Sequence, residues 1–279
     1  MGQDYVTLFV NSAFYVGNPQ APFCLLFLFM GRILPIIALA PFFGARVLPH
    51  PVKITFAITL FAIFLPQLIT VTKTPLEFDL TLLMYFFKEL FVGFAIGFMI
   101  SVPFTIVQNA GIIVDHQRGG ASLMVNDPTI QNQSSPLGTL FNFVLIFIFF
   151  SIDGPFLLID AIVTSYEIIP PDAFLSPAFF VKGSTFWSTQ ISLLNKVMII
   201  SIQLATPALL AILMTDVFLG IANRLAPQVQ ITFLGMPLKS LLALGVICLG
   251  WKLFEEELTK QCYVWLNITK NLITSFKIS

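Results

Sequence analysis

Side chains able to do chemistry sit closest together in Asp115-His116-Gln117-Arg118-Gly119-Gly120. A carboxylate, an imidazole and a guanidinium within four residues could pass a proton or form an ion pair. As a proton-handling pair, His116 beside Asp115 is poorly placed, because neighbours in a helix point about 100° apart. Asp115 and Arg118 are three apart, so in a helical turn they share a side and can pair, and Gly119-Gly120 would end that turn. The hexapeptide directly follows a long apolar run, in a 279-residue chain that is 10% charged and 57% hydrophobic. An Asp or Arg at the centre of a membrane helix costs roughly 3 kcal/mol unless something compensates it. Two readings stand: a solvated loop with a local ion pair worth little, or a polar constriction element inserted into a protein-lined channel.

Other catalytic patterns are missing. The chain has no H-E-x-x-H, no G-x-x-x-x-G-K, no G-x-S-x-G, and two histidines, His50 and His116. Cys24, Cys248 and Cys262 are scattered; Cys24 and Cys248 fall in apolar runs and read as small buried hydrophobes. No enzyme activity, metal site or cofactor is expected. A formal net charge of zero gives no reason to expect nucleic-acid binding or a polybasic membrane tether.

Glu89, Gly93 and Gly97 recur every fourth residue, on one helix face. The two glycines make the small-x-x-x-small pattern that lets another helix approach closely, and Glu89 on that face would need a partner or water. Alternatively, Lys88 and Glu89 lie near a span end and reach the membrane interface. Asp216 and Lys239 also fall inside apolar stretches, as does Arg32 just before Pro35. Each reads either as part of a proton pathway or as a structural group facing another subunit or the interface.

These residues need elements to hold them. A bilayer core of about 30 Å takes ~20 apolar residues of helix, and six stretches approach or meet that: 21–44, 52–71, 82–107, 136–163, 197–222 and 231–251. With 31 phenylalanines and a mean hydropathy of +0.92, the chain reads as an all-α polytopic membrane protein. Residues 1–20 carry Asp4 and no Lys or Arg, so the first stretch is not expected to be a cleaved signal peptide. Pro35, Pro41, Pro66, Pro103, Pro155, Pro207 and Pro237 fall in or beside these stretches and predict kinked or broken helices. Two long connections are expected: a polar one at 108–135, and an extramembrane one at 164–196 with a short helix over 185–195. The link 223–230 makes a hairpin of the last two stretches, and 252–279 is a helical tail. Lys252, Lys260, Lys270 and Lys277 after the last stretch favour a cytoplasmic C-terminus, and an even number of spans then puts the N-terminus inside.

In consistent order along nearly the whole chain, the motifs resemble the SctT/FliR family, export-gate membrane proteins of type III secretion systems and bacterial flagella. The resemblance runs through Arg32…Pro35…Pro41-Phe-Phe-Gly44, Glu89-x-x-x-Gly93-x-x-x-Gly97-Phe98 and Pro103-Phe104. It continues in Ala110-Gly111-x-x-x-Asp115-x-Gln117-Arg118-Gly119, Asp127-Pro128 and Ser134-Ser135-Pro136-Leu137-Gly138. Ser165-Tyr166-x-x-x-Pro170 follows, then Asn223-Arg224-x-x-Pro227-Gln228-Val229 and Phe233-x-Gly235-Met-Pro237-x-Lys239. The Asp115-x-Gln117-Arg118-Gly119 and Ser165-Tyr166 forms are similar to the injectisome SctT branch more than to flagellar FliR. His116, where the family often has Asn, and Gly120, where Ala is common, depart mildly.

The resemblance implies an all-helical subunit of the bacterial inner-membrane export gate, its helices packed in a helical, pore-bearing hetero-oligomer with SctR-type and SctS-type subunits. The assembly would project toward the periplasm and contact an SctU-type switch protein and the inner rod or needle base. One membrane domain, 1–279, is implied, with about 1–165 resembling the SctR type and a hairpin at about 190–251 the SctS type. The segment Gln108–Gly120, with Gly111, Asp115, His116, Gln117, Arg118 and Gly119, would supply the pore plug. Arg32, Asp216, Arg224 and Lys239 would be subunit contacts or intramembrane polar groups. Unfolded proteins would pass outward, driven by an ATPase and the proton-motive force. The competing class is a stand-alone secondary transporter, against which stands the lack of an inverted repeat. A membrane-embedded enzyme lacks a catalytic constellation.

Overall fold

The computed structural model describes residues 20–43, 49–74, 76–119, 125–126, 133–174, 185–225 and 231–275. Gly120, Asp127-Pro128 and Pro227-Gln228 lie outside the described residues. Within them are eight α-helices: α1 (Ala21–Leu39), α2 (His50–Val71), α3 (Leu80–Gln117), α4 (Pro136–Ser151), α5 (Gly154–Ile168), α6 (Thr185–Leu225), α7 (Ile231–Leu249) and α8 (Trp251–Ser275). Pro41–Phe43 forms a 3-10 turn, and two-residue strands β1 (Val125–Asn126) and β2 (Gln133–Ser134) pair antiparallel with Val125 opposite Ser134. The chain is an all-α, multi-pass membrane protein. Four of its helices are long and apolar enough to cross a bilayer, or up to six if each of two bent helix pairs is one span.

Prolines play two roles in these helices. Pro22, Pro51 and Pro136 stand in first turns, where the missing N–H has no intrahelical partner to lose. Pro35, Pro66, Pro103, Pro207 and Pro237 lie inside helices that run on past them. The other two expected breakers, Pro41 and Pro155, stand at helix breaks: α1 ends at Leu39 ahead of Pro41, and α5 starts at Gly154-Pro155. Stretch 136–163 bends by 73° between α4 and α5, where Asp153 takes φ 58° just before Gly154-Pro155. Asp tolerates that left-handed conformation better than most residues, and a proline in the first turn suits the start of the new helix. A 66° bend separates Gly235–Leu249 from Trp251–Ile273, at Gly250.

Two expected connections are shorter than their polarity suggested. The first residues of 108–135 are the last turns of α3, and the expected short helix at 185–195 is the start of α6. No strong breaker stands at either place, and adding one residue to an existing helix is easier than nucleating another. At 38 and 41 residues, α3 and α6 are each about 60 Å long, twice the hydrocarbon core.

The chain divides into two compact units. Unit 1 comprises 1–101, 154–190 and 265–279. Its core packs Leu25, Phe29 and Ile36 of α1 with Phe64 and Leu68 of α2, Val92 and Ile96 of α3, and Leu158 and Tyr166 of α5. Unit 2 comprises 102–153 and 191–264, with a core of small side chains: Ala110, Val114, Leu137, Ala205, Ala208, Ile212 and Ala243. Lipid tails are as apolar as leucine, so such helices associate through close packing, which small residues permit.

Closest approach occurs at glycines. A Cβ on Gly93 would collide with the Arg32 backbone, and one on Gly97 would lie 3.0 Å from the Pro35 carbonyl oxygen. The neighbour of the Gly93/Gly97 face is therefore α1 of the same chain. In unit 2, a Cβ on Gly111 would collide with the backbone of Gly138, and one on Gly138 would lie 2.9 Å from the Gln108 carbonyl oxygen. Gly220 of α6 and Gly245 of α7 face open space.

These contacts predict opposite outcomes for one substitution. Gly93→Ala and Gly111→Ala force backbones apart and should each destabilise by about 1–3 kcal/mol or more. Gly220→Ala and Gly245→Ala should be neutral or gain up to about 1 kcal/mol from helix propensity. Thermal unfolding in detergent reads the order; a Gly93→Ala variant as stable as the parent would refute the backbone contact.

Candidate functional site

Polar groups gather at two buried centres, one in each unit. In unit 1, Arg32 of α1 is fully buried and meets the fully buried Glu89 of α3. Arg32 Nε donates to Glu89 Oε2 at 2.5 Å and Nη2 to Oε1 at 2.8 Å, a two-point pair. The guanidinium also reaches α5: Nη1 donates to Ser165 Oγ at 3.0 Å and Nη2 to the Ile169 carbonyl at 2.8 Å. Its face lies 3.9 Å from the centre of the Tyr166 ring, adding a cation–π contact. Ser165 donates in turn to the Ile162 carbonyl at 2.7 Å.

Lys88 completes this centre. Its Nζ lies 2.7 Å from Glu89 Oε1 and donates to the carbonyls of Pro170 (2.7 Å), Pro171 (3.1 Å) and Ala173 (2.9 Å). Two cations thus face one carboxylate, and carbonyls just beyond the C-terminus of α5 supply the remaining negative potential. The same turn is held from below by Asp172, whose Oδ2 accepts from the Lys73 and Thr74 amides, both at 2.9 Å. Lys88 and Glu89 are buried inside the unit and do not reach out to an interface. Its carboxylate enclosed by two cations, Glu89 joins α3 to α1.

In unit 2, the last turn of α3 is tied to the first turn of α4. Asp115 is fully buried. Its Oδ1 accepts from Arg118 Nε at 2.7 Å and lies 2.6 Å from Nη2. Its Oδ2 accepts from the Ser135 hydroxyl and from the Leu137 amide, the latter at 3.0 Å. Ser135 is also the N-cap of α4, accepting from the Gly138 amide at 2.9 Å. Gly119, at φ 85°, ends α3. Gln108 and Gly111 lie along the crossing with Gly138, while His116 and Gln117 are exposed.

The remaining ionisable candidates are placed differently. Asp216 of α6 and Lys239 of α7 form an ion pair with each other, half-exposed, across the helical hairpin. Arg224 is exposed in the last turn of α6, where a cation suits the helix end. Cys24 is buried, but Cys248 is exposed on α7, because that apolar stretch faces outward there. Sequence reasoning assigned no site role to Lys88, Ser135, Ser165 or Gly138. The last three lie inside motifs that were read, and a hydroxyl beside a helix-starting proline is a capping signal.

The family model described as bacterial export proteins, family 1, matches residues 23–263. Yop proteins translocation protein T of Yersinia pestis is 37% identical over 164 residues, which are 58% of this chain and 61% of that protein. Surface presentation of antigens protein SpaR of Shigella flexneri is 29% identical over 220 residues, 77% of this chain and 80% of that protein. Flagellar biosynthetic protein FliR of Bacillus subtilis is 30% identical over 209 residues, 75% of this chain and 78% of that protein. The match thus spans less than two thirds of the length of the Yersinia relative.

Removing one member of the Arg32–Glu89 pair should be far worse than removing both. Arg32→Met or Glu89→Leu alone strands a buried charge and should cost about 3–5 kcal/mol. The double variant should lose less than the sum, by a coupling of about 1–3 kcal/mol. Unfolding midpoints of the three variants in detergent measure it; additive losses would mean that the pair does not couple α1 to α3.

Proposed function

The chain belongs to the bacterial export proteins, family 1, and we propose that it stands on the injectisome SctT side of that family and is a non-enzymatic subunit of a type III secretion export gate in the bacterial inner membrane. The observation that carries this is the family match itself, which runs from residue 23 to 263 and so takes in both buried polar centres. In this reading it joins SctR-type and SctS-type subunits, with residues 1–165 and the hairpin 190–251 standing in for one subunit of each type. The assembly contacts an SctU-type switch protein and the inner rod or needle base, projects toward the periplasm, and passes unfolded proteins. Residues 108–120 supply the plug.

Exposed surface supports a role among other chains. On α6, Leu210, Leu213, Met214, Val217 and Phe218 are all exposed, and only 22% of its apolar window is buried, against 67% for α3. A face of that kind needs lipid or another helix to cover it. A stand-alone secondary transporter fits less well, because the groups it would use, Arg32, Glu89, Asp216 and Lys239, are paired with one another within the chain.

Co-expression with SctR-type and SctS-type proteins, mild detergent extraction and native mass spectrometry test the reading. A hetero-oligomer containing this chain is the expected result. Recovery as a monomer or homo-oligomer, in the presence of those partners, would overturn it in favour of the transporter.

A further inference from the structure

We propose that the N-terminus of α4 is the seat of the plug segment, with Ser135 as its positioning residue, and that withdrawal of Asp115 from this seat is the first movement of opening. The inference rests on the export-gate reading. It starts from how the two oxygens of Asp115 are divided. Oδ1 is held by Arg118, three residues on and just past the end of α3. Arg118 is thus joined to Asp115 through the same short stretch of backbone and neutralises it. The side-chain anchor is Oδ2, held across to α4 by the Ser135 hydroxyl and the Leu137 amide.

That division makes movement affordable in an apolar setting. A bare carboxylate drawn out of the seat would be costly, but Asp115 and Arg118 leave as a neutral pair. Ser135 keeps its second bond, from the Gly138 amide, so α4 stays capped when the seat empties. One turn before Asp115, Gly111 and Gly138 hold the two backbones in contact and provide a fixed pivot. Beyond the acid, Gly119 has already left the helical conformation. Beside the seat, Val114, Phe141, Leu204, Ala208, Ile247 and Phe254 line an apolar cavity of about 270 Å³, space into which the last turn of α3 can shift.

The test uses the assembled complex in cells, with assembly checked by co-purification and the seal by propidium uptake. Ser135→Ala removes the hydroxyl that both holds Asp115 and caps α4 and should raise the open fraction about tenfold. Ser135→Thr keeps the hydroxyl and should restore the seal, whereas Ser135→Gly, which weakens an N-cap by only a few tenths of a kcal/mol but has no hydroxyl, should stay leaky. A disulfide between Asp115→Cys and Ser135→Cys should block secretion when oxidised and release it on reduction. An assembled Ser135→Ala complex as tight as the parent, or undiminished secretion through the oxidised pair, overturns the seat while leaving the gate reading intact. A chain that never recruits SctR-type and SctS-type partners overturns both.

Discussion

Arg32 sits with no exposed surface in a helix otherwise made of leucine, isoleucine and phenylalanine, and the packing of its unit follows from that constraint. A guanidinium in such a place needs an anion and acceptors for its five N–H groups. Glu89 on α3 supplies the anion, and Ser165 and the Ile169 carbonyl on α5 take two further donors. These partners are 57 to 137 residues away in sequence, so satisfying one side chain brings three helices together. Ion pairs of this kind contribute little net stability against an apolar alternative. What they give is a single permitted arrangement, since any slip of α1 along α3 leaves two charges unpaired in a medium that does not solvate them.

The second centre repeats the first on a smaller scale. In both, a buried carboxylate on α3 is neutralised by cationic side chains, and groups at the end of another helix complete the cluster: they hold the two cations at Glu89 and the carboxylate itself at Asp115. In both, a glycine stands one turn away: Gly93 after Glu89, Gly111 before Asp115. The glycines let the backbones touch, and touching backbones bring the carboxylate within hydrogen-bond range of its partners. The two differ in where the cations come from. Arg32 reaches Glu89 from another helix, beside Lys88 of α3 itself, whereas Arg118 follows Asp115 three residues on.

Much of this was legible in the residues. Hydropathy gave the apolar helices, the i, i+4 glycines gave the face of α3, and the three-residue spacing of Asp115 and Arg118 gave their pairing. Proline was a mixed guide: five prolines lie within continuous helices, Pro41 and Pro155 stand at breaks, and the bend at Gly250 has no proline beside it. The helix end at 117 also escaped, as did the continuity of the 185–195 helix with the stretch after it, because polarity marks where a chain meets water and not where its hydrogen bonding stops.

By itself, then, the sequence determined that this chain is helical, that it belongs in a membrane, and that a few ionisable residues needed partners there. Burial cost and helical period are local properties, and composition carries both. Tertiary structure alone decided who the partners are: Glu89 and Ser165 for Arg32, three carbonyls for Lys88, Ser135 for Asp115, and Lys239 for Asp216. Each of these pairings joins residues that lie far enough apart in the chain for no local pattern to connect them. Which faces meet depends on where glycines let backbones approach and where helices bend, and both are settled only when the whole chain packs.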